Sequence, residues 1–255
     1  MKQTVAVLLL LCAIAKANPF HPRVTGGQPV VPHSRPFQVA LNVIIEPGKV
    51  AFCGGSILSE NAVLSAAHCL QDAQQVKVIV GAHNISTQED TQQIYFSTVF
   101  VVHEDWSMLT LRNDIGIIKT EAMALNSVAQ KIILPSPELI VEDEIATVSG
   151  WGLTSDTSTT VSDVLNEVSN NLLPLSVCNI YYFGLLGQTH VCLKGNNGMS
   201  SCRGDSGGPL TVVVADQTVQ IGIVSFGIAF GCEVGFPSVY TYVPKYIDWI
   251  NTALA

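Results

Sequence analysis

One short segment of the 255-residue chain places a serine in a setting suited to nucleophilic chemistry. Ser206 lies in the run Ser201-Cys202-Arg203-Gly204-Asp205-Ser206-Gly207-Gly208-Pro209, where glycines remove side chains from around the hydroxyl. A substrate carbonyl could approach the backbone closely there, and the N–H groups of Gly204 and Ser206 could converge on a developing oxyanion. Taken alone, the segment also fits a tight glycine turn that contains an inert serine.

Two other segments supply groups that would activate such a serine. His68 lies in Leu64-Ser65-Ala66-Ala67-His68-Cys69, where small residues permit close packing around the ring. Asp114 comes directly before the apolar run Ile115-Gly116-Ile117-Ile118. A carboxylate this close to a core strand needs a polar partner, and an imidazole N–H is a suitable one. The chain order His68, Asp114, Ser206 is one of the known orders of a Ser-His-Asp triad.

These segments and several others resemble the chymotrypsin family of trypsin-like serine proteases, including arthropod chymotrypsin-like digestive enzymes. The likeness runs from Val24 to the C-terminus. The motifs that carry it are Val24-Thr25-Gly26-Gly27, Cys53-Gly54-Gly55-Ser56, Ala66-Ala67-His68-Cys69, Asn113-Asp114-Ile115, Gly150-Trp151-Gly152, Gly204-Asp205-Ser206-Gly207-Gly208-Pro209, Val224-Ser225-Phe226-Gly227 and Pro237-Ser238-Val239-Tyr240.

The pattern of short apolar runs broken by turn residues predicts an all-β protein. The candidate strands are Phe37–Ile45, Phe52–Leu58, Gln75–Val80, Ile94–Val102, Ile115–Lys119, Ile145–Gly150, Leu165–Leu172, Leu210–Val214, Val219–Phe226 and Ser238–Tyr242. Helices are expected near Ser176–Tyr181 and over Lys245–Leu254. The resemblance implies two packed six-stranded antiparallel β-barrels with a C-terminal helix. Residues 24–135 would form the first barrel and residues 136–255 the second barrel and the helix.

The resemblance also implies roles for residues in the cleft between the barrels. His68 would be the general base, Asp114 would orient it, and Ser206 would be the nucleophile, with the Gly204 and Ser206 N–H groups as the oxyanion hole. Ser225 would hydrogen-bond Asp114, and the strand from Ser225 through Phe226 to Gly227 would pair with the substrate backbone.

The N-terminus predicts a secreted precursor. Residues 1–17 combine a basic start, an apolar stretch and a small-x-small cleavage site, as in a signal peptide. No later stretch reaches the 18 apolar residues expected of a membrane-spanning helix. By the resemblance, residues 18–23 are a propeptide that a trypsin-like protease removes at Arg23-Val24. The new Val24 ammonium would then pair with Asp205, and residues 24–255 would be the protease domain.

Six cysteines remain after the signal peptide: Cys53, Cys69, Cys178, Cys192, Cys202 and Cys232. An even number in a secreted chain predicts three disulfides, for which sequence alone allows 15 connectivities. The resemblance implies the pairs Cys53–Cys69, Cys178–Cys192 and Cys202–Cys232. A zinc site is the competing interpretation, which the absence of any C-x-x-C pair disfavours.

Charge argues against polyanionic partners. Without residues 1–23 the chain keeps 9 basic and 20 acidic residues, a formal charge of −11. Such a surface would repel nucleic acid and anionic membranes. The expected partners are protein or peptide substrates, the activating protease and proteinaceous protease inhibitors, and the enzyme is expected to be a monomer.

Neither a metal nor another cofactor is expected. In mammalian trypsins two glutamates of a surface loop bind calcium, and the resemblance places Ala82 and Gln92 at those positions. The same loop contains Asn84-Ile85-Ser86, an N-glycosylation sequon whose use the sequence leaves open.

Specificity is expected from the residues around the primary pocket. The resemblance puts Ser200 at its base, where trypsins have an aspartate, and Gly227 and Ser238 on its walls. These residues predict cleavage after Phe, Tyr or Leu, with Ser238 narrowing the pocket and Arg203 favouring acidic substrate residues nearby. Two alternatives stay open: elastase-like cleavage after Ala or Val, and a catalytically silent homologue that serves as a binding module.

Overall fold

The computed structural model describes residues 25–141 and 143–255, and it is mostly β-sheet. The signal peptide, the propeptide, Arg23 and Val24 lie outside the described residues. The strands are β1 (Gln28–Pro29), β2 (Gln38–Glu46), β3 (Lys49–Ser59), β4 (Ala62–Ser65), β5 (Gln75–Val80), β6 (Gln93–Ser97), β7 (Val99–Val102), β8 (Gly116–Lys119), β9 (Ile145–Gly150), β10 (Asn166–Leu173), β11 (His190–Leu193), β12 (Pro209–Val214), β13 (Gln217–Phe226) and β14 (Ser238–Tyr242).

Helices are short and few in the described chain. The α-helices are α1 (Ala67–Leu70), α2 (Leu175–Tyr181) and α3 (Ile247–Leu254), with 3₁₀ turns at Asn196–Gly198 and Val243–Tyr246. None of these helices is long and apolar enough to cross a bilayer. The expected all-β class with a C-terminal helix is confirmed.

The first barrel is an antiparallel sheet in the order β6-β5-β2-β3-β4-β8-β7. Alternate residues of β2 point inward, and Val39, Leu41 and Val43 are almost completely buried. Strands β6 and β7 are separated only by Thr98, and the Ser97 hydroxyl accepts a hydrogen bond from the Val99 N–H at 3.0 Å across this corner. Counted as one bent strand, β6 and β7 close a ring of six strands.

The second barrel closes by strand pairing alone. Its antiparallel ring runs β9-β10-β11-β14-β13-β12 and returns to β9, because β12 and β10 both pair with β9. Its core contains buried aliphatic residues such as Val148, Leu172 and Ile221, and the buried ring of Tyr240 packs with them.

Each end of the described chain packs on the barrel that the other half of the sequence forms. Strand β1, from the first half of the sequence, pairs with β10 of the second barrel. Helix α3, from the second half, packs Ile250 onto the core of the first barrel. Strands β2 to β8, which end at Lys119, therefore form one barrel and β9 to β14, which begin at Ile145, form the other, whereas each terminal segment packs on the opposite barrel. A domain boundary near residue 135 stays a prediction.

Buried polar groups join the barrels directly. The Gln38 amide donates to the Ser149 carbonyl at 3.2 Å, and the Ser149 hydroxyl donates to Gln38 Oε1 at 2.7 Å. The Ser56 hydroxyl donates to Gln220 Oε1 at 2.6 Å. These groups have almost no contact with water, so breaking the contact between the barrels would leave them unsatisfied.

The loop from Gly81 to Gln92 is held by side-chain hydrogen bonds. The Gln92 amide donates to the Asn84 carbonyl at 2.7 Å and to the Thr87 carbonyl at 3.0 Å, and Glu89 accepts the His83 N–H at 2.7 Å. A cation in this loop would draw on the same kinds of carbonyl and carboxylate oxygen. Two of the carbonyl oxygens in this loop already accept hydrogen bonds from the Gln92 amide. This arrangement favours the expectation that the loop binds no calcium.

The sequon asparagine lies in the same loop. Asn84 Oδ1 accepts hydrogen bonds from the Ser86 N–H at 2.9 Å and the Ser86 hydroxyl at 2.8 Å, and Nδ2, which would carry a glycan, donates none within the described chain. Glycosylation of Asn84 stays a prediction.

We expect Gln92→Ala to lower the stability of the protein, because two carbonyls lose their shared donor. A loss of about 1 kcal/mol corresponds to a fall in Tm of about 2–4 °C for a domain of this size. Differential scanning calorimetry measures it, with Gln88→Ala as the control because Gln88 is exposed in the same loop and makes no side-chain hydrogen bond in the described chain. EDTA and added calcium should both leave the native Tm unchanged, and a rise with calcium would contradict the interpretation.

Candidate active site

A buried carboxylate and an imidazole form the centre of the site. Asp114, just before β8, is 1% exposed, and His68 on α1 is 22% exposed. His68 Nδ1 lies 2.7 Å from Asp114 Oδ2, and the His68 main-chain N–H donates to Oδ1 at 2.9 Å. Because an ionised carboxylate only accepts, Nδ1 carries the proton of the neutral ring and Nε2 keeps a free lone pair.

The environment of His68 acts on its pKa in two directions. Burial lowers the pKa, while the charge of Asp114 and its hydrogen bond raise it. The contribution of Asp114 is the larger in sum, so the pKa lies above the ordinary value of 6.5.

The second barrel completes the environment of Asp114. The Ser225 hydroxyl donates to Asp114 Oδ2 at 2.5 Å, as the resemblance implied for Ser225. The Thr241 hydroxyl on β14 donates to the Asp114 carbonyl at 2.8 Å. The contact from Thr241 was not foreseen, because nothing in the sequence shows that β14 runs behind Asp114.

Ser206 lies in the turn three residues before the second barrel's β12 and contacts the first barrel. Its carbonyl accepts the Gly54 N–H of β3 at 2.7 Å, which fixes the serine across the cleft from His68. Its hydroxyl makes no hydrogen bond to His68 Nε2 within the described part of the chain. In unliganded active sites such bonds are often long and tighten when substrate binds.

The segment before Ser206 presents two free N–H groups. Gly204 has φ +98°, a conformation that glycine adopts without strain. The Asp205 N–H donates to the Cys202 carbonyl at 3.0 Å, whereas the N–H groups of Gly204 and Ser206 have no acceptor among the described residues. Two unpaired donors on either side of an inward-turned Asp205 are suited to an oxyanion hole.

Asp205 is completely buried. It accepts the Gly152 N–H at 2.8 Å and the Cys202 N–H at 2.9 Å. Burial raises its pKa to about 6 against the opposing effect of these two donors. No basic side chain of the described chain lies within ion-pair distance of it.

The first described residue is hydrogen-bonded to the segment that leads to this carboxylate. Thr25 is completely buried, and its hydroxyl donates to the Ser200 carbonyl at 2.9 Å. The Ser200 N–H in turn donates to the Thr25 carbonyl at 3.2 Å. The segment that follows Val24 is thus attached five residues before Asp205.

A cavity of about 300 Å³ opens beside Ser206, and we call it the primary pocket. Ser200, Ser225, Phe226 and Gly227 line it as expected, together with Arg203. Nothing lies within 4 Å of the position that a Cβ would take at Gly227, so the mouth of the primary pocket is open at this residue.

Ser238 differs from its expected position on the pocket wall. It is buried, it is not among the residues that line the primary pocket, and its hydroxyl lies 3.0 Å from the Tyr240 hydroxyl. The small side chain thus contacts a neighbour on its own strand, and its effect on the width of the pocket stays a prediction.

Asp156, Phe236 and Pro237 also line the pocket but were not predicted. Asp156 lies in the Ser/Thr-rich loop that follows Leu153, where the sequence gives no sign of its contacts.

Three disulfides surround this site: Cys53–Cys69, Cys178–Cys192 and Cys202–Cys232, the pairs that the resemblance implied. The first anchors α1 next to His68, and the third joins the segment before Ser206 to the rim of the primary pocket. Two groups of potential metal ligands, Cys53/His68/Cys69 and Asp156/Cys202/Cys232, each contain one of these disulfides. Disulfide sulfurs are not thiolates, so neither group has the chemistry of a zinc site.

Comparison with known proteins agrees with this geometry. The Trypsin family profile matches residues 24–250. Brachyurin from Leptuca pugilator is 38% identical over 90% of this chain and 97% of its own length. Chymotrypsin from Phaedon cochleariae is 39% identical over 90% of this chain and 81% of its own length. A solved structure of HL collagenase superposes with a TM-score of 0.82 and 31% identity, covering 91% of this chain and 98% of that one. The chain therefore belongs to the trypsin family and is a serine endopeptidase.

Proposed function

We propose that this endopeptidase is secreted as a zymogen, activated by cleavage at Arg23-Val24, and cuts after large apolar residues with His68, Asp114 and Ser206 as its triad. The observation that carries the proposal is the buried Asp114, which holds the His68 ring through Nδ1 at 2.7 Å beside a pocket with an uncharged base.

The mechanism follows the roles known for the chymotrypsin triad, the standard example of this chemistry. Ser206 Oγ attacks the scissile carbonyl carbon while its proton passes to His68 Nε2. The carbonyl oxygen becomes an oxyanion that accepts hydrogen bonds from the Gly204 and Ser206 N–H groups. His68 gives the proton to the leaving amine, and the acyl-enzyme remains. Water then attacks the ester by the same steps in reverse and releases the acid.

Asp114 supports this sequence without giving up its charge. It holds Nδ1–H toward itself, so that Nε2 faces Ser206, and it stabilises the imidazolium that forms. Ser225 shares Oδ2 with His68, which keeps the buried carboxylate hydrogen-bonded throughout.

Substrate selection is assigned to the primary pocket. The base residue Ser200 is 5% exposed and donates its hydroxyl to the Ser201 carbonyl at 3.0 Å, so it offers no charge to a buried Lys or Arg. The open mouth at Gly227 admits a large side chain and argues against elastase-like selection. The end of β13, from Ser225 to Gly227, would pair with the substrate backbone.

Activation is assigned to the Val24 ammonium. A completely buried Asp205 without a cationic partner in the described chain is costly when ionised, and an ammonium reaching it from next to Thr25 would neutralise that cost. A trypsin-like protease would cut after Arg23, and proteinaceous inhibitors would occupy the same cleft as substrates. We also propose that the enzyme acts outside the cell as a monomer.

We expect kcat/KM to fall as pH is lowered through the raised pKa of His68, because protonated Nε2 cannot accept the Ser206 proton. Asp114→Asn removes both effects that raise this pKa while burial remains. The acid limb should therefore move to lower pH, and kcat should fall about 10⁴-fold. Stopped-flow hydrolysis across pH measures both, and Ser206→Ala, which removes the nucleophile, is the background control. An acid limb unchanged by Asp114→Asn would contradict the assignment of His68 as base.

Arg23→Gln should give a precursor that stays inactive after trypsin treatment. Its stability should also depend on Asp205, whose pKa of about 6 lies above its ordinary value of 3.8. A raised carboxyl pKa stabilises the fold below pH 3.8, and this contribution is lost as pH rises through about 6. The loss is on the order of 2–3 kcal/mol.

Urea unfolding of the precursor at pH 4 and pH 7 measures this loss. Asp205→Asn in the same precursor should remove the dependence, and the cleaved native enzyme should lack it because Asp205 is then paired. Full peptidase activity of Arg23→Gln would refute the activation proposal.

A panel of tetrapeptide anilides ending in Phe, Leu, Ala and Arg tests specificity. We expect Phe and Leu to exceed Arg in kcat/KM by about two orders of magnitude, because Ser200 carries no charge and the Asp156 carboxylate on the pocket wall already accepts the Cys232 and Glu233 N–H groups. Ser238→Gly should leave the Phe-to-Leu ratio within about threefold, since its hydroxyl faces Tyr240. A preference for Arg would overturn the assignment of the pocket, and a preference for Ala would favour the elastase-like alternative.

A further inference from the structure

Two loops beside the active site are joined by a pair of carboxylates. Asp156 Oδ1 accepts the Cys232 N–H at 2.7 Å and Oδ2 accepts the Glu233 N–H at 3.2 Å. In return, Glu233 Oε2 accepts the Asp156 N–H at 2.7 Å. We call this set of three hydrogen bonds the Asp156–Glu233 clamp.

The clamp lies in the wall between two cavities. Asp156 and Arg203 line both the primary pocket and a neighbouring cavity of about 560 Å³ that also contacts Phe52 and Gly204. Gly231 has φ +132°, and a Cβ there would overlap the Asp156 carboxylate. The two loops therefore approach as closely as glycine permits, and the Asp156 side chain fills the space between them.

The loop that carries Asp156 is attached at its own start to residues 202–206. We call these residues the oxyanion segment, because they include the Gly204 and Ser206 N–H groups. The Leu153 N–H donates to the Arg203 carbonyl at 2.8 Å, and the Gly152 N–H donates to Asp205. The other loop is joined to the same segment by the Cys202–Cys232 disulfide. The Asp156 loop and the loop at Gly231–Glu233 are thus each attached to the oxyanion segment, and the clamp joins the two loops to each other.

Other side chains of the Asp156 loop bond mainly within it. Thr154, Ser155 and Thr157 make their hydrogen bonds to serines and threonines of the same loop. In the described chain, the hydrogen bonds that cross to the pocket rim at Gly231–Glu233 are those of the clamp. Without them the rim would be fixed on one side by the disulfide alone.

We propose that Asp156 is a positioning residue that sets the width of the primary pocket by holding the rim at Gly231–Glu233. The inference rests on the proposed use of this pocket for the substrate side chain. Two ionised acceptors that bind three backbone donors restrict the rim more strongly than neutral groups would. Asp156 contacts neither the triad nor the oxyanion donors through any of these hydrogen bonds, so its effect should fall on side-chain selection.

The test compares a reaction that uses the pocket with one that does not. The first is hydrolysis of the tetrapeptide anilide that the native enzyme prefers, measured against the Ala anilide. The second is phosphorylation of Ser206 by diisopropyl fluorophosphate, which has no side chain to fill the pocket. The variants are Asp156→Ala and Asp156→Asn in the activated enzyme. Thr160→Ala is the matched control, because Thr160 is exposed in the same loop and makes no hydrogen bond in the described chain.

Asp156→Ala should lower kcat/KM for the preferred anilide by about tenfold, mainly through a higher KM, and reduce its advantage over the Ala anilide. The rate of phosphorylation should stay within about twofold of native. Asp156→Asn keeps an oxygen for the Cys232 N–H and should recover most of the loss. Thr160→Ala should match the native enzyme in both reactions.

Equal losses in both reactions would overturn the inference, since they would show a general effect on the oxyanion segment. Native selectivity in Asp156→Ala would overturn it as well. A native enzyme that reacts with diisopropyl fluorophosphate but shows no preference among anilides would instead refute the proposed specificity. A Tm measured for each variant separates these outcomes from unfolding.

Discussion

Two barrels meet at one buried carboxylate, and the arrangement of the site depends on it. Asp114 is 1% exposed, so each of its oxygens needs a donor. His68 supplies two donors from the first barrel, and Ser225 and Thr241 reach the residue from the second. An error in the packing of the barrels would leave His68 as the donor to the carboxylate but remove the hydrogen bonds from Ser225 and Thr241, which costs stability because these groups are buried. Asp114 thus joins the group that would act as the base to hydrogen bonds that hold the two barrels together.

A second buried carboxylate shows how partners decide the state of such a group. Asp205 has two backbone donors but no cationic side chain near it in the described chain, and its pKa is raised to about 6. Asp114, in contrast, accepts two hydrogen bonds from His68 and one from Ser225. In the proposed mechanism this histidine becomes cationic during turnover, whereas Asp205 would receive the Val24 ammonium on activation.

The sequence predicted the chemistry of the site better than its surroundings. Motifs such as Gly204-Asp205-Ser206-Gly207 concentrate the reactive groups in short segments, so His68, Asp114 and Ser206 could be proposed as a triad from the sequence. All ten candidate strands are present in the structure. Strand β4 was missed because it continues into α1 without a turn residue, and β1 was missed because it is only two residues long. Strand β11 was also missed, although it is as long as the predicted β8. The contact of the Ser238 hydroxyl with Tyr240 was not expected either, and a role of Ser238 in narrowing the pocket stays a prediction.

What the sequence could not reveal shares a physical cause. Gln92 and Asp156 both use loop side chains to bind backbone groups that the barrels leave unpaired. A backbone N–H or carbonyl exists at nearly every residue, so the identity of the side chain says nothing about which one it binds. Barrel strands, in contrast, show their burial through alternation. Loop contacts of this kind can change without disturbing the triad, because Asp114 and its partners lie on the barrels. On the proposed roles, the chemistry therefore depends on side chains held by the barrels, whereas the choice of substrate depends on hydrogen bonds between loops.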